Sequence, residues 1–165
     1  MNKEEGFSLI ELLILVAVIL IIAAIAIPNL LKAKMSANEA STAATLRVLC
    51  SAETIFSITY SVGYTEGLHR LGPPALGAQP SVIAADLVDA TLSGQATGGT
   101  DTTFTKSGYI FTYAAPGAFG AITLYTINAD PTARGGSGIK SFFTNNPQVI
   151  RYNIAAPAGP NDTPL

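Results

Sequence analysis

The residues able to do covalent or metal chemistry are few. The 165-residue chain has one histidine, His69, and one cysteine, Cys50, which leaves no Ser/His/Asp or Cys/His set on a plausible scaffold and no paired-cysteine metal spacing. His69 lies in a Gly/Pro-rich stretch and reads as a solvated or loop-anchoring side chain. Cys50 cannot close an intramolecular disulfide and reads as a small buried hydrophobe. Asp86 and Asp89 sit three residues apart, as on the solvated face of a short helix, and Asp101 and Asp130 fall in loops. No run of alternating oxygen ligands suits calcium. Gly135-Gly136-Ser137-Gly138-Ile139-Lys140-Ser141 resembles a phosphate loop in composition, but its lysine does not follow the last glycine directly. It reads as a flexible turn before a strand. Asn161-Asp162-Thr163 has the form of a glycosylation sequon. The chain is therefore expected to be no enzyme, with no catalytic residue, metal or cofactor.

One carboxylate stands apart. From Phe7 to Ile27 the only polar side chains are Ser8 and Glu11. An acidic residue deep in a membrane span costs roughly 2.5–3.5 kcal/mol, less near its end, so Glu11 needs a partner. Ser8-Leu9-Ile10-Glu11 has capping-box spacing, which would satisfy a helix amide within the chain. The alternative is a cation supplied from elsewhere. Ser36-Ala37-Asn38-Glu39 repeats the spacing, marking either a helix restart after a disordered stretch following Pro28 or, more often for such a pattern, a polar run within a helix.

The element that positions Glu11 is a membrane-length helix. Residues 7–27 cover about 30 Å as helix, one bilayer core. Pro28 lacks an N–H and predicts a kink or local unwinding. Helical pattern resumes at Asn29 and runs to about Tyr60, with Gly63 as a stop. Leu46, Leu49, Glu53, Phe56 and Tyr60 form one stripe, widened by Val48, Ala52 and Ile55, that should pack on a sheet; the alanine-rich portion before residue 45 should face solvent or other subunits. Ser81 is placed to cap a short helix, Val82 to Leu92, and Gly94 to Gly108 reads as a polar loop. Strand signals follow at Tyr109–Ala114, Ala121–Asn128, Ser141–Thr144 and Val149–Asn153. The result is an α+β chain: a long N-terminal helix, membrane half plus head half, packed on a small antiparallel sheet of about four strands.

Charge narrows the partners. Charged residues make up 12% of the chain and net charge is −2, against a usual charged share near ~25%. There is no basic excess to hold nucleic acid. Lysines flank the apolar run on both sides (Lys3, then Lys32 and Lys34), so charge does not set its orientation.

Gly6-Phe7-Ser8-Leu9-Ile10-Glu11-Leu12 and the apolar run to Pro28 resemble the N-terminal segment of type IV pilins and the related type II secretion pseudopilins. The resemblance implies cleavage between Gly6 and Phe7 by a prepilin peptidase and N-methylation of Phe7. It implies subunit assembly in which Glu11 pairs with the Phe7 amine of a neighbouring copy, and a helix kink at Pro28. Where similar pilins often carry a glycine eight residues before that proline, this chain has Leu20. The segment Phe142-Phe143-Thr144-Asn145-Asn146-Pro147-Gln148-Val149-Ile150-Arg151 resembles the C-terminal end of a bacterial pilin-like subfamily, with Asn145 in place of an acidic residue and Gln148 in place of a glycine. Many pilins close that region with a disulfide; with Cys50 alone, any clamp there is non-covalent.

The implied organisation is a leader at 1–6, a transmembrane and filament-core helix at 7–28, a helix continuing into the head at 29–62, a globular head with an αβ-loop at 63–154 and a flexible tail at 155–165. The implied function is a structural pilus subunit serving adhesion, motility or DNA uptake, with a type II secretion pseudopilin or minor pilin as the alternative. Its partners would be membrane lipid, the peptidase, the inner-membrane assembly machinery and copies of itself. Its location would be the bacterial inner membrane, then an extracellular pilus.

Overall fold

The computed structural model describes residues 7–96, 101–146 and 148–165. Gly6 of the expected cleavage site, part of the Gly/Thr stretch and Pro147 lie outside the described residues. One helix, α1, covers Leu9–Tyr60. The chain divides into two compact units, Met1–Lys34 and Met35–Leu165.

In the first unit every large apolar side chain from Phe7 to Leu31 is between 48% and 84% exposed. None of the described residues of this unit covers the surface, whose best window has a mean hydropathy of 3.3. Such a helix is apolar all round and needs lipid or other protein as its surroundings. Pro28 removes the N–H that would bond the Ala24 carbonyl, yet α1 continues through it.

The second unit lays the rest of α1 on a six-stranded antiparallel meander. Its strands are β1 (Thr103–Lys106), β2 (Tyr109–Ala114), β3 (Thr126–Pro131), β4 (Ser141–Asn145), β5 (Arg151–Asn153) and β6 (Thr163–Pro164), each beside its chain neighbour. Alternation along β2 buries Tyr109, Phe111 and Tyr113, as a sheet with one covered face requires. They share a core with Leu46, Leu49 and Phe56 of α1, Ile127 of β3 and Phe142 of β4. The loop after α1 turns at Ser61 and Gly63, both at positive φ. Gly63 lies so close to the Ile122 carbonyl that a Cβ would collide with it.

Several expectations are corrected. The sheet has six strands, not about four. The first lay hidden in the stretch read as a polar loop, because threonines flank its one large apolar residue. Phe104 is 2% exposed and stacks on Phe111 with ring centroids 4.5 Å apart. The strand expected at Ala121–Asn128 begins only at Thr126 and extends to Pro131, because Ile122 is engaged with the loop after α1, its carbonyl accepting from the Tyr64 N–H at 2.9 Å.

The helix expected from Val82 to Leu92 is absent. The N–H groups of Ala85, Asp86, Leu87 and Val88 donate instead to the carbonyls of Arg70, Gly72 and Leu71. Ala85, Val88 and Leu92 turn into the core and Ile83 outward. On α1, Val48 and Ile55 are about half exposed rather than widening the buried stripe, which takes Cys50 instead. Burial also begins earlier than expected, with Thr42, Ala43 and Thr45.

The C-terminal segment is not loose. The last strand pairs with β5, and the Leu165 N–H donates to the Ile150 carbonyl. Asp162 closes the loop: its carboxylate accepts from the Asn153 side chain at 3.0 Å and the Gly159 N–H at 2.8 Å, while its backbone carbonyl accepts from Arg151 at 2.8 Å.

Candidate assembly site at the N-terminal helix

Ser8 precedes the first residue of α1 and Glu11 is the third residue within it. The Ser8 N–H donates to Glu11 Oε2 at 2.9 Å. The Glu11 N–H in turn donates to the Ser8 backbone carbonyl at 3.1 Å rather than to its hydroxyl. Half of a capping box is thus present: the carboxylate reaches back to the helix entrance, where the dipole favours a negative group. One oxygen serves the cap, and among the described residues nothing pairs with the other. Phe7, two residues before the helix, is 84% exposed.

Among the described residues, Glu11 is therefore a capped carboxylate without a counter-ion at the head of an exposed apolar helix. It pairs with no cation among the described residues, where the ion pairs are Arg70–Glu66 and Lys140–Glu39. Lipid or packed helices around such a carboxylate favour a partner bearing a positive charge and hydrogen-bond donors. Cutting the Gly6–Phe7 bond would create one, an amine at Phe7.

Other polar residues singled out in the sequence have structural surroundings. His69 lies in a 3-10 turn, Leu68–Leu71, with Nδ1 3.5 Å from Asp101 Oδ1. Cys50 is buried, with Sγ 3.6 Å from the Thr144 hydroxyl. Asp89 caps the backbone N–H groups of Thr91 and Leu92, while Asp86 is exposed at positive φ. Glu39 begins no helix; its Oε1 accepts from the N–H groups of Ile139 and Lys140 at 2.9 and 3.2 Å. The glycine-rich turn is shaped by Tyr109, whose hydroxyl donates to the Lys140 carbonyl at 2.8 Å and whose ring leaves no room for a Cβ at Gly138.

The reading of residue types missed one buried cluster. Glu53 and Thr65 are both fully buried. Burial drives the Glu53 carboxyl above its ordinary range, against the lowering effect of hydrogen bonds from Thr65 and Tyr113. Burial, and next the nearby Glu53, push the Tyr113 hydroxyl up as well. A carboxylate within an otherwise apolar stripe was the available signal, but its partners come from a loop and a strand remote in sequence.

Residues 1–27 match the family described as the prokaryotic N-terminal methylation motif. The chain is 35% identical over 91 residues to the type IV wide pilus major component PilA4 of Thermus thermophilus, covering 55% of this chain and 69% of that one. It is 43% identical over 54 residues to the type IV major pilin protein PilA of Myxococcus xanthus, covering 33% of this chain and 24% of that one. No solved structure matches it significantly. A methylation motif at the start, a likeness to pilins beyond it and a long helix laid on an antiparallel sheet agree: this chain belongs to the type IV pilin family.

Proposed function

We propose that the chain is a structural subunit of a type IV pilus. The leader 1–6 is removed between Gly6 and Phe7, Phe7 is methylated, and the segment 7–28 passes from bilayer to filament core. The observation that carries this reading is the uncovered apolar surface from Phe7 to Leu31. Fully burying one Val, Leu or Ile contributes about 1.5–3 kcal/mol. Roughly half of that is open to each such side chain here, so burial among copies supplies most of the cohesion. The amine of one Phe7 and the free oxygen of a neighbour's Glu11 then fix the axial stagger. Pro28, where a helix hydrogen bond is already missing, is where the helix bends or opens during assembly. Before assembly the partners are membrane lipid, the peptidase and the inner-membrane assembly machinery; afterwards they are copies of the chain in an extracellular filament, with no enzymatic role.

The test is intact-mass and N-terminal analysis of material sheared from cells. Abundant protein beginning at methylated Phe7 is the expected result. Processed protein held only in the envelope would overturn the filament reading in favour of a secretion pseudopilin or minor subunit. Substituting Gly6 should leave uncleaved precursor in the membrane, and normal maturation of that variant would refute the cleavage assignment.

A further inference from the structure

Glu53, Thr65 and Tyr113 make four polar contacts within 3.5 Å, and the Tyr113 hydroxyl also acts on the Glu53 carboxyl from farther away. The Thr65 N–H lies 3.0 Å from Glu53 Oε2 and the Thr65 hydroxyl 2.5 Å from Glu53 Oε1. The same hydroxyl lies 3.2 Å from the Tyr113 hydroxyl, which lies 2.7 Å from the Thr65 backbone carbonyl. Each contact needs one hydrogen. An ionised Glu53 leaves three: the Thr65 N–H, the Thr65 O–H and the Tyr113 O–H. With the threonine hydrogen on the carboxylate and the tyrosine hydrogen on the carbonyl, the two hydroxyl oxygens face one another with none between them. A neutral acid supplies the fourth. Glu53 Oε1–H then donates to Thr65 Oγ1, Thr65 O–H to Tyr113, Tyr113 O–H to the Thr65 carbonyl, and Thr65 N–H to Glu53 Oε2.

The surroundings agree. Glu53 is fully buried, and the titratable groups around it are Tyr113 from β2, Tyr125 and its neighbour Tyr64 from the loops, and Cys50 one turn earlier on α1. None can carry a positive charge, and no Lys, Arg or His pairs with Glu53 among the described residues. A buried carboxylate so placed has hydrogen bonds but no counter-ion.

We propose that Glu53 is held as the neutral carboxylic acid at neutral pH, locking the loop after α1 to the helix, and that its ionisation at alkaline pH releases that lock. The loop is well placed to respond. Gly63 and Tyr64 bridge it to Ile122, and Leu68 donates to the Asp101 carbonyl at 2.7 Å. Loosening Thr65 therefore loosens two further attachments of the head.

The test uses the full chain in detergent micelles. Infrared pH titration of the wild type should show a protonated carboxyl C=O band at pH 7 that disappears on alkalinisation and is absent from Glu53→Gln. Glutamine can donate to the Thr65 hydroxyl and accept from its N–H, so the variant keeps the contacts without the titration. A carboxyl raised in the folded state adds stability that is complete below its unfolded value, near 4.5, and is lost as pH rises through the folded value. Across that window the wild-type folded-to-unfolded ratio should fall about tenfold per pH unit relative to Glu53→Gln. A wild type lacking the band at pH 7 overturns the proposal, as does a Glu53→Gln variant destabilised equally at every pH. If the variant fails to fold, the wild-type titration alone decides.

Discussion

Glu11→Gln separates the two roles of the residue that opens α1. Glutamine keeps an oxygen that accepts from the Ser8 N–H, so the 2.9 Å cap bond can survive, and only the charge is lost. The cap is worth little in any case: it is exposed, and an exposed cap contributes about 0.5–1 kcal/mol, too little to unwind a helix of 52 residues. Pairing with a neighbouring amine is larger. Two unit charges about 4 Å apart at an effective dielectric near 20 attract by roughly 4 kcal/mol, close to three orders of magnitude in an association constant. Glu11→Gln should therefore insert, be cleaved and fold normally, yet yield filaments at a small fraction of the wild-type amount. The assay is quantification of sheared filaments beside intact mass of the membrane-held protein. Filament yield equal to wild type, with normal processing, would refute pairing and leave Glu11 as a helix cap alone.

Other expected outcomes concern the head. Asp162→Ala removes the acceptor for Asn153 and Gly159 and should cost about 2 kcal/mol after allowance for partial exposure, read as a lower thermal midpoint and as faster hydrogen exchange at the Leu165 amide; unchanged exchange would show that the clamp contributes nothing. Gly138→Ala forces a Cβ into the Tyr109 ring and should destabilise by about 1–3 kcal/mol through overpacking; a neutral result would mean that the turn shifts freely. Leu49→Ala, at a fully buried position, should cost about 2–5 kcal/mol. Val48→Ala, on the exposed face one residue away, should stay within about 0.5 kcal/mol in the unassembled chain. Comparable losses from the two would place the wrong face of α1 on the sheet.

The sequence was most readable where one physical demand dominates. Membrane length, the lone carboxylate and the stripe Leu46–Leu49–Glu53–Phe56 each follow from periodicity and polarity, and β2 was placed at its observed bounds, Tyr109–Ala114, because its alternation is strong. What failed depends on distant partners. Val82–Leu92 has helical spacing, but its amides find carbonyls in the preceding segment first. The first strand has only Phe104 to advertise it, and that residue matters only once Phe111 is beside it. The C-terminal tail looks loose by composition, yet Asp162 ties it through contacts that no local pattern announces. At the N-terminus, the Glu11 cap is visible as a spacing, whereas its second oxygen meets no partner among the described residues, and no local pattern names one.

The order of the sheet bears on how the head forms. Each strand pairs with the one made just before it, so a chain emerging from its N-terminus never waits for a later strand to complete an earlier pair. Adjacent pairing keeps sequence separations short and favours rapid closure. The longest sequence separations are those between α1 and the sheet, which join the beginning of the head to everything after it. The helix can thus serve as a finished surface on which the meander condenses, one hairpin at a time.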